Sequence, residues 1–506
     1  LSARRNLYRL SATAAALALG LTACAPTSGE DGAGNAADAT KTEVPALQQY
    51  YTQQVDWEKC GSTIECADIE VPLDYAAPEK DSITLALNRR AVDGAQGNLL
   101  VNPGGPGGSG LDMVAESVQL MLSNDLQRAY NIIGFDPRGV GQSTPVTCQT
   151  DKEIDASRQE NLKAWDPADR DEVEADTEDY AKDCAENTGD LLGHVDTVSA
   201  AKDMDIIRAV LGDTQLDYLG YSYGTFLGST YADLFPQKVG RFVLDGAMDP
   251  LATAQQLTLA QAQGFEGEID AWLQNCLEGE NCPFTGNLDE AKTQLQDFFA
   301  RIEEQPLESS DGRTVPIIDF INGFIIPLYD DMNWPYLTQG MAAAMQGDVD
   351  QILYFSDLSA DRQEDGSYGS NSTDAFTAVN CLDRPMDASE QAMEADAKAL
   401  EEASPTIGKY LAYGELTCDK WSYKATGQPE SLDAPGSNQI LVVGTTGDPA
   451  TPYAWSQSLA EQLQNATLLT YEGHGHTAYG RSNQCITDAV DGYLIDGKVP
   501  EAGTVC

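Results

Sequence analysis

The sequence predicts an α/β fold, a mostly parallel central sheet with helices on both faces, interrupted by a large helical insertion. Three observations carry this. Short runs of β-branched and large apolar residues alternate with helical periods through residues 46–250. Helical periods dominate 251–425, and strand-then-turn signals return over 426–506. With 506 residues and 42% hydrophobic content, the chain can bury a core of that size.

Ahead of the fold, Arg4, Arg5 and Arg9 lead into an apolar run from Leu10 to Leu21, too short to span a bilayer but suited to a secretory signal. The run closes on "LTAC" (21–24), which resembles the lipobox of bacterial lipoproteins. The expectation is a signal peptide over 1–23 and a diacylated Cys24 as the first mature residue. Residues 24–45, small, polar and acidic, then form a flexible linker to the outer face of the cytoplasmic membrane. Lipid is the only membrane attachment expected. Of the eleven cysteines, ten remain for disulfides in an oxidising compartment. Proximity along the chain suggests Cys60–Cys66, Cys148–Cys184, Cys276–Cys282, Cys381–Cys418 and Cys485–Cys506. No C-x-x-C pair occurs and the three histidines lack ligand-like spacing to cysteine, so neither metal nor cofactor is expected.

Five strands are expected in the first part: "SITLALNRRAV" (82–92), "NLLVNPGG" (98–105), "YNIIGFDPRG" (130–139), "LDYLGYSYG" (216–224) and "GRFVLDGAMDP" (240–250). Their Gly, Pro and Asp endings belong at the carboxyl edge of the sheet, where open α/β sheets bind ligands. Residues 149–195 are acidic and helical, and "TVSAAKDMDIIRAVLG" (197–212) has the apolar spacing of a helix packed on the sheet. The 251–425 insertion reads as a helical cap, with a polar loop, "SADRQEDGSYGSNSTD" (359–374), inside it. "NQILVVGTTGDPATP" (438–452) and "NATLLTYEGHGHTAYG" (465–480) then resume the sheet around the helix "AWSQSLAEQLQ".

A formal charge of −50, from 80 acidic and 30 basic residues, repels phosphate backbones and anionic lipid head groups. Nucleic-acid binding is excluded on that ground, and the acid reads chiefly as a solvated surface.

The chemistry begins at "GYSYG" (220–224), where Ser222 lies between two glycines on a strand-to-helix junction. Small neighbours permit a strained turn that lifts a serine hydroxyl above a sheet edge. A base must come from His194, His474 or His476. In the chain order serine, acid, histidine that such a junction requires, His194 comes too early. Asp448, in "TTGDPATP" after a strand, is the candidate acid, placed to orient an imidazole without taking its proton. An oxyanion needs backbone N–H donors. The glycine-rich "NPGGPGGSG" (102–110) offers Gly105 first and Gly104 second, with Tyr223 as the other donor. "FDPRGVGQS" (135–143) reads as a structural turn, with Arg138 free to pair with an acid.

In order, "NPGGPGGSG", "FDPRGVGQS", "GYSYG", "VVGTTGDPATP" and "GHGHTAYG" resemble the actinobacterial tripeptidyl aminopeptidase family, with which the mycobacterial envelope carboxylesterases belong. The resemblance spans residues 46–506 apart from variable cap segments. It implies an α/β-hydrolase core, a helical cap, a triad of Ser222, Asp448 and His476, and oxyanion donors at Gly105 and Tyr223. The family's G-H-T setting favours His476 over His474, although the doubled histidine of "GHGHT" departs from the pattern. "AVNCLDRP" (378–385) also resembles a recurring stretch of the family; Asp383 reads there as structural, beside Cys381, or alternatively as facing the cleft. The expected activity is a monomeric serine peptidase that releases short peptides from protein or peptide N-termini. Glu266, Glu268, Asp330 and Asp331 are unranked candidates to hold the substrate ammonium. A carboxylesterase acting on envelope lipids or acyl esters would use the same machinery. A non-catalytic envelope-binding protein is the reading from another class.

Overall fold

The computed structural model describes residues 39–506, so the signal segment, Cys24 and most of the linker lie outside the described residues. A nine-stranded sheet runs through its centre in the order β1-β2-β3-β5-β4-β6-β7-β8-β9. The strands are β1 (Glu58–Lys59), β2 (Glu65–Pro72), β3 (Ser82–Arg90), β4 (Gly97–Asn102), β5 (Tyr130–Phe135), β6 (Leu216–Tyr221), β7 (Val239–Asp245), β8 (Ile440–Gly447) and β9 (Ala466–His474). β1, β2 and β3 pair antiparallel, as does β3 with β5, and every later pairing is parallel. The strand order reverses at β4, which lies between β5 and β6, and such a switch point opens a crevice beyond the strand ends.

The parallel strands are apolar almost throughout because helices cover both faces: Leu99, Leu100 and Val101 of β4 are fully buried. The helices Thr197–Val210 and Tyr223–Leu234 pack on one face, and Gln484–Asp496 with Asn124–Ala129 on the other. β1 and β2 go beyond the strands expected above. In β2 the buried Ala67, Ile69 and Val71 alternate with the exposed Asp68 and Glu70, a half-buried antiparallel strand.

Register places the site. Asn102 pairs with Gly220, Tyr221 with Asp245, Val443 with Asp245, and Gly447 with His474. The loops that follow β4, β6, β7, β8 and β9 therefore leave one edge of the sheet side by side.

The cap, between β7 and β8, has its own core, where Trp272, Phe299, Phe320 and Phe324 are buried together. The acidic connection between β5 and β6 joins it: Arg158, ending the helix Asp151–Arg158, pairs with Asp319 at 2.9 Å and Asp357 at 3.0 Å. Five disulfides link Cys60 to Cys66, Cys148 to Cys184, Cys276 to Cys282, Cys381 to Cys418 and Cys485 to Cys506, the pairs that proximity suggests. Arg138 is buried with Asp203 in a two-pronged pair at 2.7 Å and donates to the carbonyls of Pro72, Leu73 and His194, so it braces the turn after β5. No helix among the described residues is long and apolar enough to cross a membrane.

Candidate active site

Ser222 stands between β6 and the helix Tyr223–Leu234 with φ 55° and ψ −123°, a conformation an L-residue holds only under constraint. The flanking glycines permit it. A Cβ on Gly220 would come within 2.5 Å of the Gly224 carbonyl, and one on Gly224 within 2.8 Å of Asn102 Oδ1. The G-x-S-x-G spacing thus follows from a backbone that crosses itself too closely for side chains. The Ser222 N–H donates to the Asp245 carbonyl at 2.9 Å, which fixes the turn from the strand side.

Asp448 is fully buried in its side chain and accepts only from donors. The N–H groups of Ala450 (3.0 Å), Thr451 (2.7 Å) and Thr477 (3.0 Å) reach it, with the Thr451 hydroxyl at 2.9 Å. His476 Nδ1 completes the set at 2.9 and 3.0 Å from the two oxygens. With the Nδ1 proton held on the carboxylate, Nε2 is left as the basic atom. The cap supports this histidine directly. Its N–H donates to the Tyr329 carbonyl at 2.8 Å, and the Tyr329 ring stands edge-on to the imidazole at 5.3 Å. Thr477, next in the chain, is also held at positive φ (64°).

One residue that sequence reasoning missed joins the two halves. The Asp245 carbonyl accepts from Ser222, while its carboxylate accepts from the N–H groups of Ala478 (3.0 Å) and Tyr479 (2.7 Å), two and three residues beyond His476. A Cβ on the next residue, Gly246, would lie 3.4 Å from His476 Cε1, which puts the imidazole against the turn that leaves β7. The available signal was a carboxylate at the buried end of the apolar strand "VGRFVLD". No hydrogen bond joins the Ser222 hydroxyl to His476 among the described residues; such bonds are commonly long without substrate and tighten when it binds.

The two glycines offered for the oxyanion separate by their partners. The Gly104 N–H already donates to Asn102 Oδ1 at 3.0 Å, whereas the Gly105 N–H has no acceptor among the described residues. A Cβ on Gly104 would meet the Tyr221 carbonyl at 2.5 Å and the Tyr223 nitrogen at 3.2 Å, so this loop lies against the elbow. Tyr223 opens its helix, where backbone N–H groups have no intrahelical acceptor.

His474 faces elsewhere, its Nδ1 2.8 Å from Glu268 Oε1 and its side chain half exposed. Of the candidate cap carboxylates, Glu266 accepts from Ser404, Thr406 and Lys292, and Asp330 and Asp331 lie 3.7 and 3.9 Å from Arg481. Glu268 is buried against the core loops. None of the four lines the cavity of about 1550 Å³ that Gly105 and Tyr329 border. Ten carboxylate residues line it, among them Asp112, Glu160, Asp176, Asp179 and Asp183; the one basic residue in the lining, Arg158, pairs with one of the ten, Asp319.

Burial pushes the Glu268 carboxyl up to about 7 and those of Asp245, Asp383 and Asp213 up to about 6. Such groups bind protons more tightly folded than unfolded, so the stability they contribute is full below the ordinary carboxylate range and lost as pH rises through 6 to 7. The melting temperature should therefore fall as pH rises through 6 to 7. Scanning fluorimetry checks this, and a melting temperature that climbs with pH over that window contradicts it.

A family model described as "TAP-like protein" matches residues 404–506. The serine protease Hip1 of Mycobacterium tuberculosis is 35% identical over 90% of this chain and 91% of its own. Carboxylesterase B of the same organism is 36% identical over 90% of each chain. The tripeptidyl aminopeptidase of Streptomyces lividans is 30% identical over 89% of this chain and 86% of its own.

Proposed function

The chain belongs to the tripeptidyl aminopeptidase-like family of α/β-hydrolase serine hydrolases, and from that premise we propose that it cleaves peptide bonds near free N-termini through an acyl-enzyme on Ser222. The Ser222 oxygen attacks the scissile carbonyl as His476 Nε2 takes its proton, and the N–H groups of Gly105 and Tyr223 receive the oxyanion. The imidazolium, stabilised by Asp448, returns the proton to the leaving amine. Water then repeats the sequence on the ester and frees Ser222.

The carboxylate-lined cavity beside Gly105 is the observation that favours a peptide with a free amine. A cleft lined by one charge sign concentrates its field, so it draws in an ammonium group and is indifferent or hostile to acyl chains and carboxylates. Ester hydrolysis, of envelope lipids or acyl esters, is the second reading; the 36% identity to carboxylesterase B favours an ester as substrate. A tripeptide anilide with a free amine, its N-acetyl counterpart and a short acyl ester, assayed together, separate the two. Blocking the amine should cost roughly 10- to 100-fold in kcat/KM, ~1.5–3 kcal/mol for a charge-assisted contact. Equal rates on both anilides, with the ester turned over faster, would transfer the proposal to the esterase. The arginines before the Leu10–Leu21 run and the "LTAC" that closes it support an exported protein held by lipid at Cys24.

A further inference from the structure

The helix Ser372–Asp383 of the cap touches the oxyanion machinery at both of its ends. At its first turn the backbone packs on the glycine loop, where a Cβ on Gly107 would lie 2.5 Å from the Ser372 carbonyl and 3.2 Å from the Phe376 nitrogen. At its last residue, Asp383 accepts from the Thr197 hydroxyl at 2.6 Å and from the Thr197 N–H at 2.8 Å. Thr197 Oγ1 lies in turn 2.6 Å from the Tyr223 hydroxyl. Thr197 has one hydroxyl proton and gives it to the carboxylate, so Tyr223 must donate to Thr197. The chain Tyr223 to Thr197 to Asp383 therefore has one direction and every member is buried, at 4%, 1% and 6% exposure.

We propose that Asp383, acting through Thr197, is a positioning residue for the oxyanion site, holding Tyr223 so that its backbone N–H stays aimed at the developing charge. The proposal rests on Ser222 being the nucleophile and is indifferent to peptide or ester substrate. Its physical need is clear at the elbow. Ser222 is strained, and a strained turn persists only when held from both sides. The Asp245 carbonyl holds it from the strand, and the Tyr223 side chain, tied to the cap through two hydrogen bonds, holds it from the helix. The Cys381–Cys418 disulfide, two residues before Asp383, secures the far end of this tether.

The test is the second-order rate of fluorophosphonate labelling of the full chain, with kcat, KM and affinity for a peptide trifluoromethyl ketone, whose adduct carries the oxyanion. Tyr223→Phe keeps the ring and removes only the link. It should lower labelling, kcat and ketone affinity together by about 10-fold, below the 10²- to 10³-fold loss of a whole donor, with KM within twofold and the melting temperature nearly unchanged. Thr197→Val should do the same with some loss of stability, and Thr197→Ser should restore the wild-type rates. Asp383→Asn, the direct variant, risks misfolding and is secondary. A Tyr223→Phe chain that labels and turns over at the wild-type rate overturns the inference alone. So does a loss that appears only in KM and melting temperature. A wild-type chain that takes up no fluorophosphonate overturns this inference and the Ser222 reading together.

Discussion

Ser222→Ala should abolish fluorophosphonate labelling and lower kcat/KM on the favoured substrate by on the order of 10⁶, ~8 kcal/mol of transition-state stabilisation. The magnitude follows from what is lost. With no oxygen to accept an acyl group, His476 has nothing to deprotonate, and only binding and the oxyanion donors remain to act on a bound water. Stability should hardly move, because alanine keeps the Cβ and the same φ of 55°. Ser222→Gly makes a useful contrast: it is equally inactive, yet glycine occupies positive φ without penalty and should be more stable than the alanine variant by about 1–2 kcal/mol. Denaturant titration of the two variants reads that difference. Retention of even a hundredth of the wild-type rate in Ser222→Ala would place the nucleophile elsewhere.

Much of this site is legible in the sequence because its chemistry leaves local marks. The elbow needs glycine at 220 and 224 for steric reasons, the glycine loop must expose backbone, and the base and acid follow strands in a fixed order. Choosing between two histidines two residues apart required more than spacing. The structure separates them by what each ring faces, Asp448 for His476 and Glu268 for His474. What stayed hidden is what the fold assembles across long separations. Asp245 meets the backbone of residues 478 and 479 more than 230 positions later, and Asp383 meets Thr197 from 186 away. No local period reports such a contact, although a charged residue at the buried end of a strand invites the question. Likewise the helix Asp151–Arg158 is legible as part of an acidic, helical stretch, but its partner is not. Its place against the cap depends on Arg158 finding Asp319 and Asp357 after the chain has folded. The strand β2 differs, since its two-residue alternation was present in "ADIEV" and was masked by the acidic residues of its solvent face.

Asp448→Asn should lower kcat by about 10⁴, ~5.5 kcal/mol, with KM little changed. Every group around this carboxylate is a donor: three backbone N–H groups, the Thr451 hydroxyl and His476 Nδ1. An asparagine must turn its own NH₂ toward some of them. If the amide nitrogen replaces Oδ1, it confronts the N–H of Ala450 and Thr451; if it replaces Oδ2, it confronts Thr477 and the Thr451 hydroxyl. Either orientation brings donor against donor inside a fully buried site, at about 1–3 kcal/mol of stability for each group left unpaired. Where the NH₂ meets the imidazole, Nδ1 must become the acceptor, the ring proton moves to Nε2, and the base that should take the Ser222 proton already carries one. Loss of the carboxylate also removes the charge that stabilises the imidazolium, so the defect should persist at alkaline pH, where a simple lowering of the base's affinity for protons would be invisible. Rates measured from pH 6 to 9 distinguish the two: a variant that recovers wild-type kcat at the upper end would show that Asp448 only tunes the histidine and does not orient it.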